Sequence, residues 1–153
     1  MRVIAVILSL TPSFFHKMIR RMMGAKIGKG TRLKFGTVLL SKKIEIGKKV
    51  KIGPAVYISA KEIKIDDYTK IGPLSVVSAR KIILGKYVHV SPFAVISGDH
   101  SENSQFIVGD HSRFFPYCWI ETGEGVVIGS NVGIGGHTLI FTHGIWPDYL
   151  DGG

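Results

Sequence analysis

The segment IEIGKKVKIGPAVYIS at residues 44–59 returns nineteen residues later as IKIDDYTKIGPLSVVS at 63–78. Self-similarity at a fixed period constrains a fold strongly, because each repeat must form one structural unit and equivalent side chains must meet. The aliphatic residue that precedes a glycine or aspartate serves as a marker. Ile27, Ile46, Ile65 and Leu84 lie nineteen apart, and Val108 and Ile128 follow at intervals of twenty-four and twenty. Six units result.

Inside a unit the apolar position recurs every six residues, as in Ile46, Ile52 and Ile58, then Ile65, Ile71 and Val77. Two places before each marker stands another apolar residue: Ala25, Ile44, Ile63, Ile82, Phe106, Val126. Alternation at period two predicts strand. A further column holds only small or slender residues, Thr37, Val56, Ser75, Ala94, Cys118 and Thr138, as a crowded interior corner requires. Three short strands per unit, each closed by a turn bearing Gly, Asn or Asp, describe a triangular coil whose strands pair in parallel with the coils above and below. One coil cannot bury its own apolar face, but a stack can.

A chain of 153 residues encloses one core, and 19 glycines suit a turn-rich β architecture better than a helical bundle. The single cysteine, Cys118, allows no internal disulfide and no cysteine-based zinc site, which fits a reducing compartment, and its column makes it an inert core thiol. The net charge of +9 favours anionic partners. No aromatic-interleaved basic motif for nucleic acid is present, and the lysines at 42, 43, 48, 49 and 51 are read as solvated turn residues. The apolar run Val3 to Leu10 is shorter than the roughly 20 residues that span a bilayer, and no small-x-small cleavage site follows it.

The recurring aliphatic, Gly, two variable residues, small, variable pattern resembles the hexapeptide-repeat family from about Gly24 to His143. That resemblance implies an all-β fold, a left-handed parallel β-helix of about six coils. The handedness comes from the family alone, since parallel crossovers are generally right-handed.

Residues 1–23 form the first division of the chain. Within them TPSFFHKMIRRMMG reads as a short amphipathic α-helix, opened by Thr11 and Pro12 and closed at Gly24. It is expected to cap the open end of the stack, and its basic face also suits peripheral contact with an acidic membrane surface. Residues 24–153 form the β-helix domain. It is broken twice: by a polar inserted loop near 97–106 containing SGDHSENSQ, and by an aromatic-rich excursion at 141–153. Breaks in a solenoid emerge as surface loops, where function concentrates.

In acyl-transferring members of the family, a Thr-His or similar pair follows a motif similar to IGSNVGIGGHTLIFTHG at 128–144. The resemblance therefore implies that His143 is the catalytic base. A histidine near neutral pKa takes a proton from a hydroxyl as it attacks a thioester, and a backbone N–H of a neighbouring coil stabilises the oxyanion. His137, Trp146, Tyr117, Asp99 and His100 are the substrate-binding candidates. Tyr117 stands where some members carry an asparagine that orients the acceptor. The implied reaction moves an acetyl group from acetyl-CoA, a co-substrate, to a hydroxyl of a sugar or a cell-surface polysaccharide precursor.

The family further implies a homotrimer with sites between adjacent prisms, in the cytoplasm or against the inner face of the membrane, with no nucleic-acid partner. Family enzymes continue for two or three coils after the excursion to a GAGSVV-type segment beside the coenzyme A arm. The sequence here stops at Gly153, so a fragment or an incomplete donor site is expected. A non-catalytic oligomerisation or scaffold module is the alternative. Carbonic anhydrases of the γ class share this fold and bind zinc through histidines, two of them five apart. Here the closest pair, His137 and His143, is six apart, and no metal is expected.

Overall fold

A computed structural model of the chain describes residues 24–98 and 100–142. The expected N-terminal helix and all but the start of the 141–153 excursion lie outside the described residues. Within them the chain forms an all-parallel, six-turn β-solenoid with three six-stranded sheets, one strand of each coil per sheet. The first face holds Lys26–Ile27, Lys43–Ile46, Glu62–Ile65, Lys81–Leu84, Gln105–Val108 and Val126–Ile128. Two-residue strands make the second face, from Arg32–Leu33 to Gly133–Ile134, and the third runs from Val38–Leu40 to Leu139–Ile140.

Pairing follows the sequence columns. Ile27, Ile46, Ile65, Leu84, Val108 and Ile128 are consecutive partners on the first face. The equivalent row on the second face is Leu33, Ile52, Ile71, Val90, Phe114 and Ile134. These side chains point inward: those from Ile46 to Val108 and from Leu33 to Phe114 belong to one continuous buried core, against which Ile128 and Ile134 of the last coil pack partly buried. In coil five two phenylalanines replace aliphatics; Phe106 and Phe114 are fully buried with ring centroids 5.5 Å apart at 57°. At one corner of that coil Ser112 stands where the other coils carry threonine or valine, a smaller side chain beside the two rings.

The corners explain the turn residues. Between the first and second faces a residue of every coil takes a left-handed conformation, as at Lys49, Tyr68, Tyr87, His111 and Asn131. Between the second and third faces Ala55, Leu74, Phe93, Tyr117 and His137 do the same. Four of these follow proline, the arrangement of a type II turn, in which proline presets the first central residue and the second needs positive φ. Gly47 is required by close approach rather than by φ: a methyl group there would strike the Asp67 carboxylate and backbone of the next coil. That carboxylate accepts the Lys48 N–H at 2.6 Å, tying the two corners together.

Inside the first corner, hydroxyl and valine alternate coil by coil as Thr31, Val50, Thr69, Val88, Ser112 and Val132. Each hydroxyl donates to a glycine carbonyl of the following coil and accepts the N–H of the following valine. Thr69 Oγ1 donates to Gly85 O at 2.6 Å and accepts from Val88 N at 3.1 Å. Ser112 does likewise with Gly129 and Val132. Buried backbone groups that the turn leaves without a strand partner are satisfied in this way.

Outward, the three faces differ in kind. On the first, charge alternates between coils: Lys26, Glu45 and Lys64 in one row, Lys43, Glu62 and Lys81 in another. Lys43 and Glu62 pair at 2.6 Å, which raises the lysine pKa and lowers that of the glutamate. The third face presents Val38, Tyr57, Val76, Val95, Trp119 and Leu139. The second presents a row of basic side chains. Lys43 and Lys51 stand on strands of the first and second faces rather than at turns, which corrects the expectation from sequence: each alternates with an inward isoleucine and so belongs to the strand period.

Candidate functional site

His143 and Trp146, like Asp99, lie outside the described residues. The nearest described residue, Thr142, is held from several sides. Its N–H donates to Glu121 Oε2 at 3.2 Å, its hydroxyl donates to the same carboxylate oxygen, and its Oγ1 accepts the Glu124 N–H at 3.1 Å. The other oxygen of Glu121 accepts the Gly123 N–H at 2.5 Å. A carboxylate that accepts several hydrogen bonds is oriented firmly, so the chain leaves coil six from a defined point one residue before His143.

This cluster sits at the corner between the third face and the next coil's first face, and the inserted loop joins it. The loop occupies residues between the strands Val95–Ser97 and Gln105–Val108. Ser101 Oγ donates to Gly123 O at 3.1 Å and Asn103 Nδ2 to Glu124 Oε2 at 3.0 Å. On its other flank Ser104 carbonyl accepts the Lys81 N–H, and Glu102 lies 3.5 Å from Arg80. The two departures from the nineteen-residue interval are thus hydrogen-bonded to each other. Ser101, Asn103, Glu121, Glu124 and Thr142 were not singled out by sequence reasoning. The signal available was the twenty-residue interval between Val108 and Ile128, whose extra residue falls in the turn at Thr122 to Gly125.

Two of the other candidates meet. Tyr117 and His137 stack at the corner between the second and third faces, with centroids 5.2 Å apart and planes at 15°, and Phe93 stacks beneath Tyr117 at 5.2 Å. Both side chains are exposed, because the left-handed turn directs them out of the prism. His137 is therefore one coil above Tyr117 in the same column. His100 is elsewhere: it lines a shallow depression of about 250 Å³ with Ser41, Lys42, Ser59 and Lys61 of the first two coils. The structure does not bring it to Tyr117 and His137.

His111 belongs to a second ladder, stacked on Tyr87 at 4.8 Å, which in turn stacks on Tyr68 at 4.9 Å. His100, His111 and His137 thus occupy three different corners, and no group of three possible metal ligands converges among the described residues. Cys118 is buried, and desolvation pushes its thiol pKa up; a protonated core thiol is a poor nucleophile. No described helix is long and apolar enough to cross a membrane.

No protein-family model, curated protein or solved structure matches the chain.

Proposed function

We propose that the protein is an acyltransferase that moves an acetyl group from acetyl-CoA to a hydroxyl of a sugar or polysaccharide precursor, with His143 as general base. The observation that supports this reading most is the fixed exit of the chain at Thr142, one residue before His143, on a parallel β-solenoid whose two irregular segments converge there. The fold is consistent with the hexapeptide-repeat superfamily in general, and in this reading the coils wind left-handed.

His143 takes the proton of the acceptor hydroxyl as that oxygen bonds to the thioester carbonyl carbon. The carbon–sulfur bond then breaks, and coenzyme A leaves as a thiolate that recovers the proton from the imidazolium. A backbone N–H stabilises the oxyanion between these steps. Tyr117 and His137 line the acceptor side, with Trp146 and Asp99 as further contacts; no part in that site is assigned to His100. The net charge of +9 favours the approach of an anionic co-substrate. The protein acts as a homotrimer in the cytoplasm, with residues 1–23 resting against the inner face of the membrane, and uses no metal.

The test is release of free thiol from acetyl-CoA in the presence of saccharide acceptors. Acceptor-dependent release that His143→Ala abolishes is expected, and release unchanged in that variant would overturn the assignment. A non-catalytic assembly module is the second reading, favoured by the outward apolar row of the third face. Stable self-association with no thiol release under any acceptor would establish it.

A further inference from the structure

The second face carries one outward position per strand, and from coil to coil these are Arg32, Lys51, Lys70, His89, Arg113 and Gly133, paired in register. Like charges directly opposite one another across strands destabilise a sheet. The first face avoids this by setting Glu45 and Glu62 between lysines, whereas the second stacks three cations without interruption. None of Arg32, Lys34, Lys51 and Lys70 has a carboxylate within ion-pair distance among the described residues.

These side chains share one concavity. A groove of about 350 Å³ is lined by Arg32, Lys34, Lys51, Lys70 and His89, together with Gly53 and Gly72. The N–H groups of the two glycines are already given to the Ile71 and Val90 carbonyls of the following coils, at 2.8 and 2.7 Å. What meets a ligand is therefore the basic set. Lysine and arginine side chains donate hydrogen bonds and accept none. His89 is kept neutral near pH 7 by burial and by Arg113 and Lys70, and a neutral imidazole still has one N–H to donate.

The groove is also short. Its basic rungs belong to coils one to four and cover about 14 Å at the spacing of parallel strands. Arg113, the next rung, does not line it; its guanidinium lies over the Phe115 ring, 5.9 Å from the centroid. The sixth rung is Gly133, which offers no charge. A long polyanion following the face would soon run past the cations, so the site suits a small ligand of high charge density, and its volume is that of a small-molecule pocket. Sugar acids and acidic peptides bring hydroxyl or amide donors that this lining cannot accept. Phosphoryl groups offer acceptor oxygens and up to two charges each, and when linked in a line they present them to successive rungs.

We propose that this groove binds a short linear oligophosphate, with Arg32, Lys34, Lys51 and Lys70 pairing its phosphoryl oxygens and His89 donating a hydrogen bond at the fourth rung. The inference concerns coils one to four and stands whether or not His143 performs catalysis, since binding and thiol release are read separately.

Inorganic tripolyphosphate titrated calorimetrically into the full chain tests it. Saturable binding is expected, with affinity lowered about tenfold in the double variant Lys51→Gln, Lys70→Gln. Both lysines are exposed and face like charges, so that variant should fold, and its thermal midpoint verifies this. Lys34→Gln, beside the row, should weaken binding to a smaller degree. Lys26→Gln, Lys64→Gln, the same change of charge on the first face, should bind as the wild type does. Equal weakening in the two double variants would show that net charge alone attracts the ligand and would overturn the proposal, as would binding that does not saturate. Citrate carries comparable charge on carboxylates and should bind more weakly; equal affinity would overturn the choice of phosphate. Tighter binding, per phosphate, of a single-stranded oligonucleotide or of vesicles containing phosphatidylinositol bisphosphate would make the face a nucleic-acid or membrane surface and would overturn it too.

Discussion

At the scale of single residues the corner hydroxyls matter beyond their size. Thr69 is fully buried and satisfies both Gly85 O and Val88 N of the next coil. Thr69→Val keeps the shape but leaves those two backbone groups without a partner, so a loss of about 1–3 kcal/mol is expected in denaturant unfolding. His89 makes a prediction about pH. Its folded-state pKa is depressed, so the unfolded chain binds the extra proton more readily, and the stability it leaves intact above about 6.5 declines as pH falls from there toward its lower folded value. Thermal midpoints between pH 7 and pH 5 should show this fall, and His89→Gln should flatten it. Thr142→Val removes a hydroxyl that both Glu121 and Glu124 engage; acetyl transfer should drop several-fold with little change in thermal midpoint.

At the scale of strands and corners, the columns were legible because a solenoid converts sequence interval directly into contact. Ile46 meets Ile65 because nineteen residues separate them, and neither burial nor long-range pairing had to be guessed. What stayed hidden depends on relations between different columns. The bonds from Ser101 and Asn103 to Gly123 and Glu124 join two irregular segments whose paths no period specifies. The basic row was readable in principle, since Arg32, Lys51, Lys70 and His89 are nineteen apart. It was missed because the lysines were grouped by local runs such as 48, 49 and 51 instead of by coil. Coil five offers the sharpest packing test at this scale. Phe106→Ala, in contact with Phe114, should cost about 3–5 kcal/mol through the cavity it leaves, read by denaturant unfolding.

At the scale of the whole molecule the prism has three unlike outer surfaces: one of alternating charge, one with a row of basic side chains, and one apolar. Trp119 and Leu139 on the third are 47% and 59% exposed in the single chain, and Tyr57, three coils from Trp119 and four from Leu139, belongs to the same row. In the proposed trimer this is the face suited to contact between prisms, because burying it removes apolar surface from water at about 25 cal/mol per Å². Trp119→Lys should convert the trimer to smaller species in light scattering. A mass unchanged by this substitution would place the contact elsewhere.

The period-two exchange of Thr31, Val50, Thr69, Val88 and Ser112 has a consequence for how such a molecule can be shortened. Its smallest self-consistent building block is a doublet of turns, 38 residues, even though the eye sees nineteen. Excising residues 43–80 would set Val88 on Thr31 and recreate an existing seam, whereas removing 43–61 alone would set Thr69 on Thr31, a juxtaposition found nowhere in the intact column. Gain or loss in this lineage should therefore proceed by even steps.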